Sequence, residues 1–412
     1  MSNLRIKHPT KQLIGNITLP ASKSICNRVM VLNKVLSSNT VIQNISTADD
    51  CVIMQHALQQ TQGSVDVKNA GTCMRFLTAY YATTPNIDVI LQGSERMHNR
   101  PIGALVNALI QLGADIDYID KDGFPPLRIK GKNLHGGIVS VDASTSSQFV
   151  SALMLVAPNF KNGLSIQLGK HTVSKPYINL TSDLLKQFGV NVTLQEDVVI
   201  KPYQNQTAPN TFFIEPDWSA AAFWYQFLAL AKEGDITLNK LTSNSAQGDA
   251  IIANYMERFG ISTQHNSQGA LLTKNNNYLE NACYDMLNYP DMVPAMAVLM
   301  CALNIPCTFI NVAHLEAKES KRLTALCTEL GKCGFDITQN GSELHINKIV
   351  KENLIKPTSF NTYQDHRMAM ALAPLALLFD DVLINDIEVV AKSYPHFWDD
   401  MRKVGFEITT ES

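Results

Sequence analysis

Residues 289–303, YPDMVPAMAVLMCAL, open on a short polar cluster around Asp291 and run on through residues that are apolar on every side. A helix of that composition has no solvent face, so it must be buried all round. Five more stretches share the build: PASKSICNRVMVL (20–32), NAGTCMRFLTAYYA (69–82), DASTSSQFVSALMLVA (142–157), EPDWSAAAFWYQFLALA (215–231) and TYQDHRMAMALAPLALL (362–378). Their opening residues Ser22, Thr72, Ser144, Asp217, Asp291 and Asp365 step by 50, 72, 73, 74 and 74 positions. A recurring step of this kind marks an internal repeat.

Between these stretches lie six amphipathic patterns. Five of them, ALIQLGADID, LLKQFGVNVT, YMERFGIST, ELGKCGFDIT and MRKVGFEITT, pass through a glycine into alternating residues, and ALQQTQGSVDV fits the same template more loosely. The glycines are Gly63, Gly113, Gly189, Gly260, Gly334 and Gly405. A glycine that closes a helix before a period-two stretch marks a helix-to-strand junction. The unit is therefore strand, buried helix, strand, surface helix, strands, about 73 residues long, with a short copy first. Six buried helices imply two cores of three. The competing architecture is a doubly wound parallel sheet, yet neither G-x-G-x-x-G nor G-x-x-x-x-G-K-[ST] occurs.

Composition narrows the function classes. The 412 residues are 45% hydrophobic and 17% charged with a net charge of -3, so a large core forms without staples and no global basic field recruits nucleic acid. The eight cysteines include no C-x-x-C pair and no grouping with histidine at metal-ligand spacing, as expected of small core residues in a reducing compartment. The opening MSNLRIKHPTKQ lacks the apolar segment of a signal peptide, and the run from Met368 to Phe379 contains Pro374 and is too short to span a bilayer. A soluble, cytoplasmic protein without a membrane partner is expected.

Helix N-termini carry positive dipole ends that suit anions. Lys23, Arg28, Arg75, His366 and Arg367 nevertheless sit at such starts, and Arg96, Arg100, Lys318, Arg322 and Lys392 fall in loops. Any one of them, taken alone, reads as a solvated surface charge. Their recurrence at one place in the repeat points to ligands bearing several phosphates or carboxylates. Carboxylates at the same level are candidates for proton transfer: Asp217 and Asp291, each equally readable as a helix cap, Asp365, which reads as a cap before it reads as a base, and Glu319 between two cations. Ser144, Ser146, Ser147 and Gln148 suit either the first turn of a helix or a phosphate. No G-x-S-x-G singles out a hydrolase serine.

The motifs SKSICNR, NAGTCMR, RMHNRPIG, SSQF, VSKPYI, KESKR, DHRMAMA and AKSYPHF, in this order over nearly the whole chain, resemble the 5-enolpyruvylshikimate-3-phosphate synthases. The resemblance implies an α/β (α+β) fold of two similar domains, each of three βαβαββ repeats around buried helices, an inside-out α/β barrel. It implies a shikimate-3-phosphate-side domain at residues 20–215, a second domain from 1–19 with 216–412, and an active site in the cleft between them. The implied activity moves the enolpyruvyl group of phosphoenolpyruvate to the 5-hydroxyl of shikimate 3-phosphate, in a monomer, with small-molecule substrates and with neither a metal nor an organic cofactor.

Matching motif to motif, the resemblance implies that Lys23 reaches both substrates. Ser24 and Arg28, with Ser146, Ser147, Gln148, Ser174, Tyr177, Asp291, His314 and Lys318, would bind shikimate 3-phosphate. Asn69, Ala70, Gly71, Thr72, Arg100, Gln148, Arg322, Arg367 and Lys392 would bind phosphoenolpyruvate. Asp291 is similar to the family's base and Glu319 to the acid that protonates the enol methylene, with His366 orienting it and Lys23 and Lys392 completing the catalytic set.

Two departures stand out. The segment from Gln60 to Asn69 is short, so the second repeat is expected to lack strands or a hairpin on its outer face. In HLEAKESKR, His314 stands where Asn is familiar and Glu316 where Arg or a similar residue is common, which puts that loop's substrate contacts in question. The rival within the fold, an enolpyruvyl transferase acting on a UDP-aminosugar, opens on a Lys-Asn pair and uses a loop cysteine, whereas here the opening is SKS and SERMHNRP has no Cys. A non-catalytic homologue would lack the acid or the base, and both are present.

Overall fold

All six apolar stretches become helices whose side chains are almost wholly hidden from solvent in the computed structural model, which describes residues 2–169, 171–204, 208–275 and 282–411. The helices Lys23–Val35, Gly71–Thr83 and Gln148–Val156 pack on one another, as do Trp218–Leu230, Val293–Leu303 and His366–Leu372. The chain parts into two compact units, Ala21–Ile214 and Met1–Pro20 with Glu215–Ser412. Several of the largest buried side chains lie on Trp218–Leu230, where Trp218, Phe223, Trp224, Tyr225 and Phe227 are all enclosed. Each large apolar side chain removed from water contributes roughly 1.5–3 kcal/mol. Among the described residues no helix is long and apolar enough to cross a membrane, and the eight cysteines are free thiols.

One repeat shows the plan. Strand Gln62–Asp66 leads into the buried Gly71–Thr83 helix and returns as Asp88–Gln92, parallel to the first strand. The outer helix Gly103–Gln111 follows, and the strands Asp115–Tyr118 and Leu127–Lys130 complete a four-stranded sheet, with Leu127–Lys130 antiparallel against Asp88–Gln92. The same strand order recurs for Gly137–Val141, Leu164–Leu168, Asp197–Ile200 and Val192–Leu194, and for Ala282–Asp285, Cys307–Ile310, Glu343–Ile346 and Ile337–Asn340. It recurs once more where Gln12–Ile17 pairs in parallel with Glu233–Asn239, ahead of Gly269–Lys274 and Ile261–His265.

Two sheets are reduced. Val382–Ile384, Asn3–Lys7 and Glu407–Glu411 form three strands, with Phe360 bridging Ile384 where a first strand would lie. Among the described residues Val41–Gln43 pairs only with Thr211–Phe213. This corrects the expectation that the second repeat is truncated. Gln62–Asp66 is already the first strand of a complete second sheet, so the strand pair that is missing belongs to the first repeat, after the Asp49–Ala57 helix.

The glycine junctions mostly hold. Gly113, Gly189 and Gly405 directly follow the last turns of their helices with φ of 100°, 80° and 99°, left-handed angles that glycine adopts without a Cβ penalty. Gly63, from the looser pattern, lies instead inside the strand Gln62–Asp66.

Candidate active site

The Arg322–Gly331 helix begins with a guanidinium that is 1% exposed. Its Nε donates to Asp365 at 2.8 Å, Nη1 to Asp291 at 3.0 Å and Nη2 to Glu319 at 2.8 Å. Burying a cation this deeply is tolerable only because each edge of its fork meets a carboxylate. Two further cations close the cluster, Arg367 with Nη2 2.9 Å from Asp291 and Lys392 with Nζ 3.2 Å from Glu319. Asp291 and Glu319 therefore each lie between two cations and are joined through Arg322.

The three aspartates at helix starts differ in what they bind. Asp217 caps Trp218–Leu230 by accepting from the Ser219 amide at 2.7 Å, and Asp365 caps His366–Leu372 by accepting from the Arg367 amide at 3.0 Å and from Ser320 Oγ at 2.9 Å. Asp291 sits in the turn Pro290–Met292, with its carboxylate between the guanidiniums of Arg322 and Arg367. Burial pushes its carboxyl up, but Arg367, Arg322 and Lys318 outweigh that and hold it well below the usual carboxylate range. His314 is pushed down to about 4 by burial and then by Lys318 and Arg322, against the pull of Asp291, and its buried Nε2 has no hydrogen-bond partner. Asp249, hydrogen-bonded by Ser219, is pushed up to about 6 by burial and by Asp291. His366 is buried, with Nδ1 3.7 Å from Asp365.

The loop residue Glu316 serves the backbone. It accepts from the amides of Leu323 at 2.9 Å and Thr324 at 3.0 Å and from Thr324 Oγ1 at 3.0 Å. It thereby satisfies the first turn of the helix that starts at Arg322, with a carboxylate at the favourable end of the dipole.

In the Ala21–Ile214 unit further predicted residues lie at helix starts and in the loops beside them. Lys23 pairs with Asp50 at 3.0 Å. Arg28 is buried, donates from Nε to Thr181 Oγ1 at 2.8 Å, from Nη2 to Ser151 Oγ at 3.3 Å and from Nη1 to the Ser24 carbonyl at 2.9 Å, and lies over the rings of Phe76 and Tyr177. Burial without a carboxylate pushes it down to about 10. Gln148 donates to Thr72 Oγ1 at 3.1 Å, and Ser146 Oγ accepts from the Gln148 amide at 3.2 Å beside Ser147, the residue that precedes the Gln148–Val156 helix. Asn69 pairs with Ser94, Ala70 precedes the Gly71–Thr83 helix, and the Arg100 guanidinium packs directly on Gly71. Ser174, at φ 54°, starts the helix that carries Tyr177, and its buried Oγ has no hydrogen-bond partner.

Residues the sequence does not single out are Asp50, Ser151, Thr181, Ser320 and Asp249. Ser320 lies inside KESKR and is legible there; Ser151 lies inside the apolar stretch 142–157 with nothing to mark it, and Asp50, Thr181 and Asp249 fall outside the quoted motifs. Among the described residues no group of three or more His, Cys, Asp or Glu is placed to hold a metal ion.

The family model for EPSP synthase (3-phosphoshikimate 1-carboxyvinyltransferase) matches residues 7–64 and 59–401. A 3-phosphoshikimate 1-carboxyvinyltransferase of Bacteroides fragilis is 42% identical over 400 residues, covering 96% of this chain and 97% of that protein. One from Haemophilus influenzae is 33% identical over 427 residues, covering 96% and 98%. A solved EPSP synthase from Acinetobacter baumannii superimposes with a TM-score of 0.79 at 19% identity over 100% of both chains, which shows a common fold. With the family's model and its relatives running almost end to end along the sequence, the chain belongs to the EPSP synthase (3-phosphoshikimate 1-carboxyvinyltransferase) family.

Proposed function

We propose that the chain transfers the enolpyruvyl group of phosphoenolpyruvate to the 5-hydroxyl of shikimate 3-phosphate and releases phosphate. The observation that carries this reading is the pairing of two carboxylates, Asp291 and Glu319, through the buried fork of Arg322. Adding an alcohol across an enol double bond needs a base for the hydroxyl proton and an acid for the methylene carbon. Asp291 takes the first role and Glu319, with Lys392 at 3.2 Å, the second. The hydroxyl oxygen bonds to C2 of phosphoenolpyruvate as its CH₂ gains a proton. Glu319 then takes a proton back from the resulting methyl as the C2–O bond to phosphate breaks.

Substrate arrival switches on the base. Arg322 and Arg367 hold Asp291 too acidic to take a proton readily. When the carboxylate of phosphoenolpyruvate forks onto those guanidiniums it draws them off Asp291, whose basicity rises as the reactants come together. Arg28, Ser174, Ser146 and Ser147 bind the phosphate of shikimate 3-phosphate, and Lys23 with the Gly71–Arg100 corner takes that of phosphoenolpyruvate. The enzyme works as a monomer in the cytoplasm, where thiols stay reduced, and neither nucleic acid nor a cofactor takes part.

Phosphate release from phosphoenolpyruvate tests the reading. Release with shikimate 3-phosphate and none with a UDP-aminosugar is expected; the reverse would transfer the assignment to the cell-wall branch, and no release with either acceptor would mark a binding protein.

A further inference from the structure

Tyr363 and Gln364, immediately before Asp365, have φ angles of 54° and 55°. Left-handed backbone is unfavourable for residues with a Cβ, and two in succession persist only where surrounding contacts hold them. The contacts come from Glu329, whose carboxylate is fully buried on the helix that begins at Arg322. Its Oε1 accepts from Tyr363 Oη at 2.6 Å, and its Oε2 accepts from the Asn361 amide at 3.0 Å and from Lys332 Nζ at 2.6 Å. The Asp365 amide then donates to the Thr362 carbonyl at 2.9 Å and closes the turn.

Arg322 and Glu329 are seven residues apart, close to two helical turns, so they share one face of their helix. That helix grips the segment twice, at Asp365 through Arg322 and at Asn361 and Tyr363 through Glu329. We propose that Glu329 is a positioning residue of the reaction: by clamping Tyr363 and Asn361 it holds the strained turn that sets Asp365, and through Asp365 fixes Arg322 and Arg367 against Asp291. This inference rests on the reading of the Arg322 cluster as the phosphoenolpyruvate site.

The test uses Glu329→Gln and Tyr363→Phe, each alone and combined with Gln364→Gly. Glycine adopts positive φ without penalty, so it removes the need for the clamp at that residue. For Glu329→Gln, kcat/KM for phosphoenolpyruvate falls roughly tenfold, KM for shikimate 3-phosphate stays close to wild type, and Gln364→Gly restores much of the loss. A purely structural glutamate predicts something else: both substrates suffer alike and glycine rescues nothing, which overturns the proposal. If Glu329→Gln does not fold, Tyr363→Phe carries the same comparison, since it deletes one hydrogen bond and keeps the ring. Melting temperature separates failure of the clamp from failure of the proposed activity. Even in a chain that turned nothing over, Gln364→Gly should stabilise the Tyr363→Phe protein more than the wild type, and equal effects would sink the clamp.

Discussion

Arg367 holds Asp291 at two points, Nη2 on the carboxylate at 2.9 Å and Nη1 on the backbone carbonyl at 3.2 Å. The two residues are 76 positions apart, so the contact ties the start of one buried helix to the start of the next. Until substrate draws the guanidinium away, this double contact leaves the Asp291 side chain little rotamer freedom, so the carboxylate waits in one position.

Asp291→Asn should therefore keep the shape of this contact and lose the chemistry. Turnover is expected to fall by about 10² to 10⁴, with substrate affinity within about tenfold of wild type because both guanidiniums remain. Steady-state rates beside equilibrium titration check this. A variant that retains more than half of wild-type kcat removes Asp291 from the mechanism.

Binding of shikimate 3-phosphate should weaken as KCl rises, although the protein carries a net charge of -3. The field that matters is local, from cations such as Lys23 and Arg28, and at physiological ionic strength screening acts over about 8 Å. Affinity that does not move with salt would mean these cations do not converge on the ligand.

Gly71→Ala separates space from backbone geometry. A Cβ at Gly71 would lie 2.6 Å from Arg100 Nη1 and 2.8 Å from Nη2, while Gly71 is not among the residues with positive φ. The fold should tolerate alanine, which is the better helix former by roughly 0.5–1 kcal/mol, and the Arg100 fork should be displaced. The expected result is an unchanged or higher melting temperature and a raised KM for phosphoenolpyruvate. A destabilised protein whose KM values for both substrates rise alike would point to backbone geometry instead.

The buried His314 gives a pH signature. Its folded pKa of about 4 lies below the ordinary 6.5, so between those values the unfolded chain binds a proton that the folded chain refuses. Stability from this group is present above about 6.5 and is lost as the pH falls towards 4. His314→Asn has no such proton to refuse, so its melting temperature should gain on wild type between pH 7.5 and 4.5. Parallel pH dependences for the two proteins would show that His314 is not held neutral.

Much of this architecture is legible because burial leaves a one-dimensional trace. A helix enclosed on every side cannot hide polar residues, and so stretches such as Val293–Leu303 announce themselves. Gly63 misleads because a glycine inside a strand and a glycine after a helix look alike without the pairing partner, here Val89. The truncation lies one repeat earlier than the sequence suggests for a related reason: Gln62–Asp66 has only one buried residue, Val65, and carries little strand signal. In the site, the charged motifs point to Arg322, Arg367, Asp291 and Glu319 but not to their grouping. Asp50, Thr181 and Ser151 act by position alone, as does Glu316, whose carboxylate serves a helix end rather than a ligand.

The strand Gln12–Ile17 finds its neighbour only at Glu233–Asn239, with the whole Ala21–Ile214 unit made in between. During translation at about 5–20 residues per second, that leaves the strand without its sheet for roughly ten to forty seconds, while the intervening unit has all its own partners and can fold first. Asn3–Lys7 waits longer still, for Val382–Ile384 and Glu407–Glu411. An unpaired strand edge is open to pairing with another chain, and Arg5 and Lys7, which end up paired with Asp381, Glu411 and Glu407, put like charges on that edge until those acids are made.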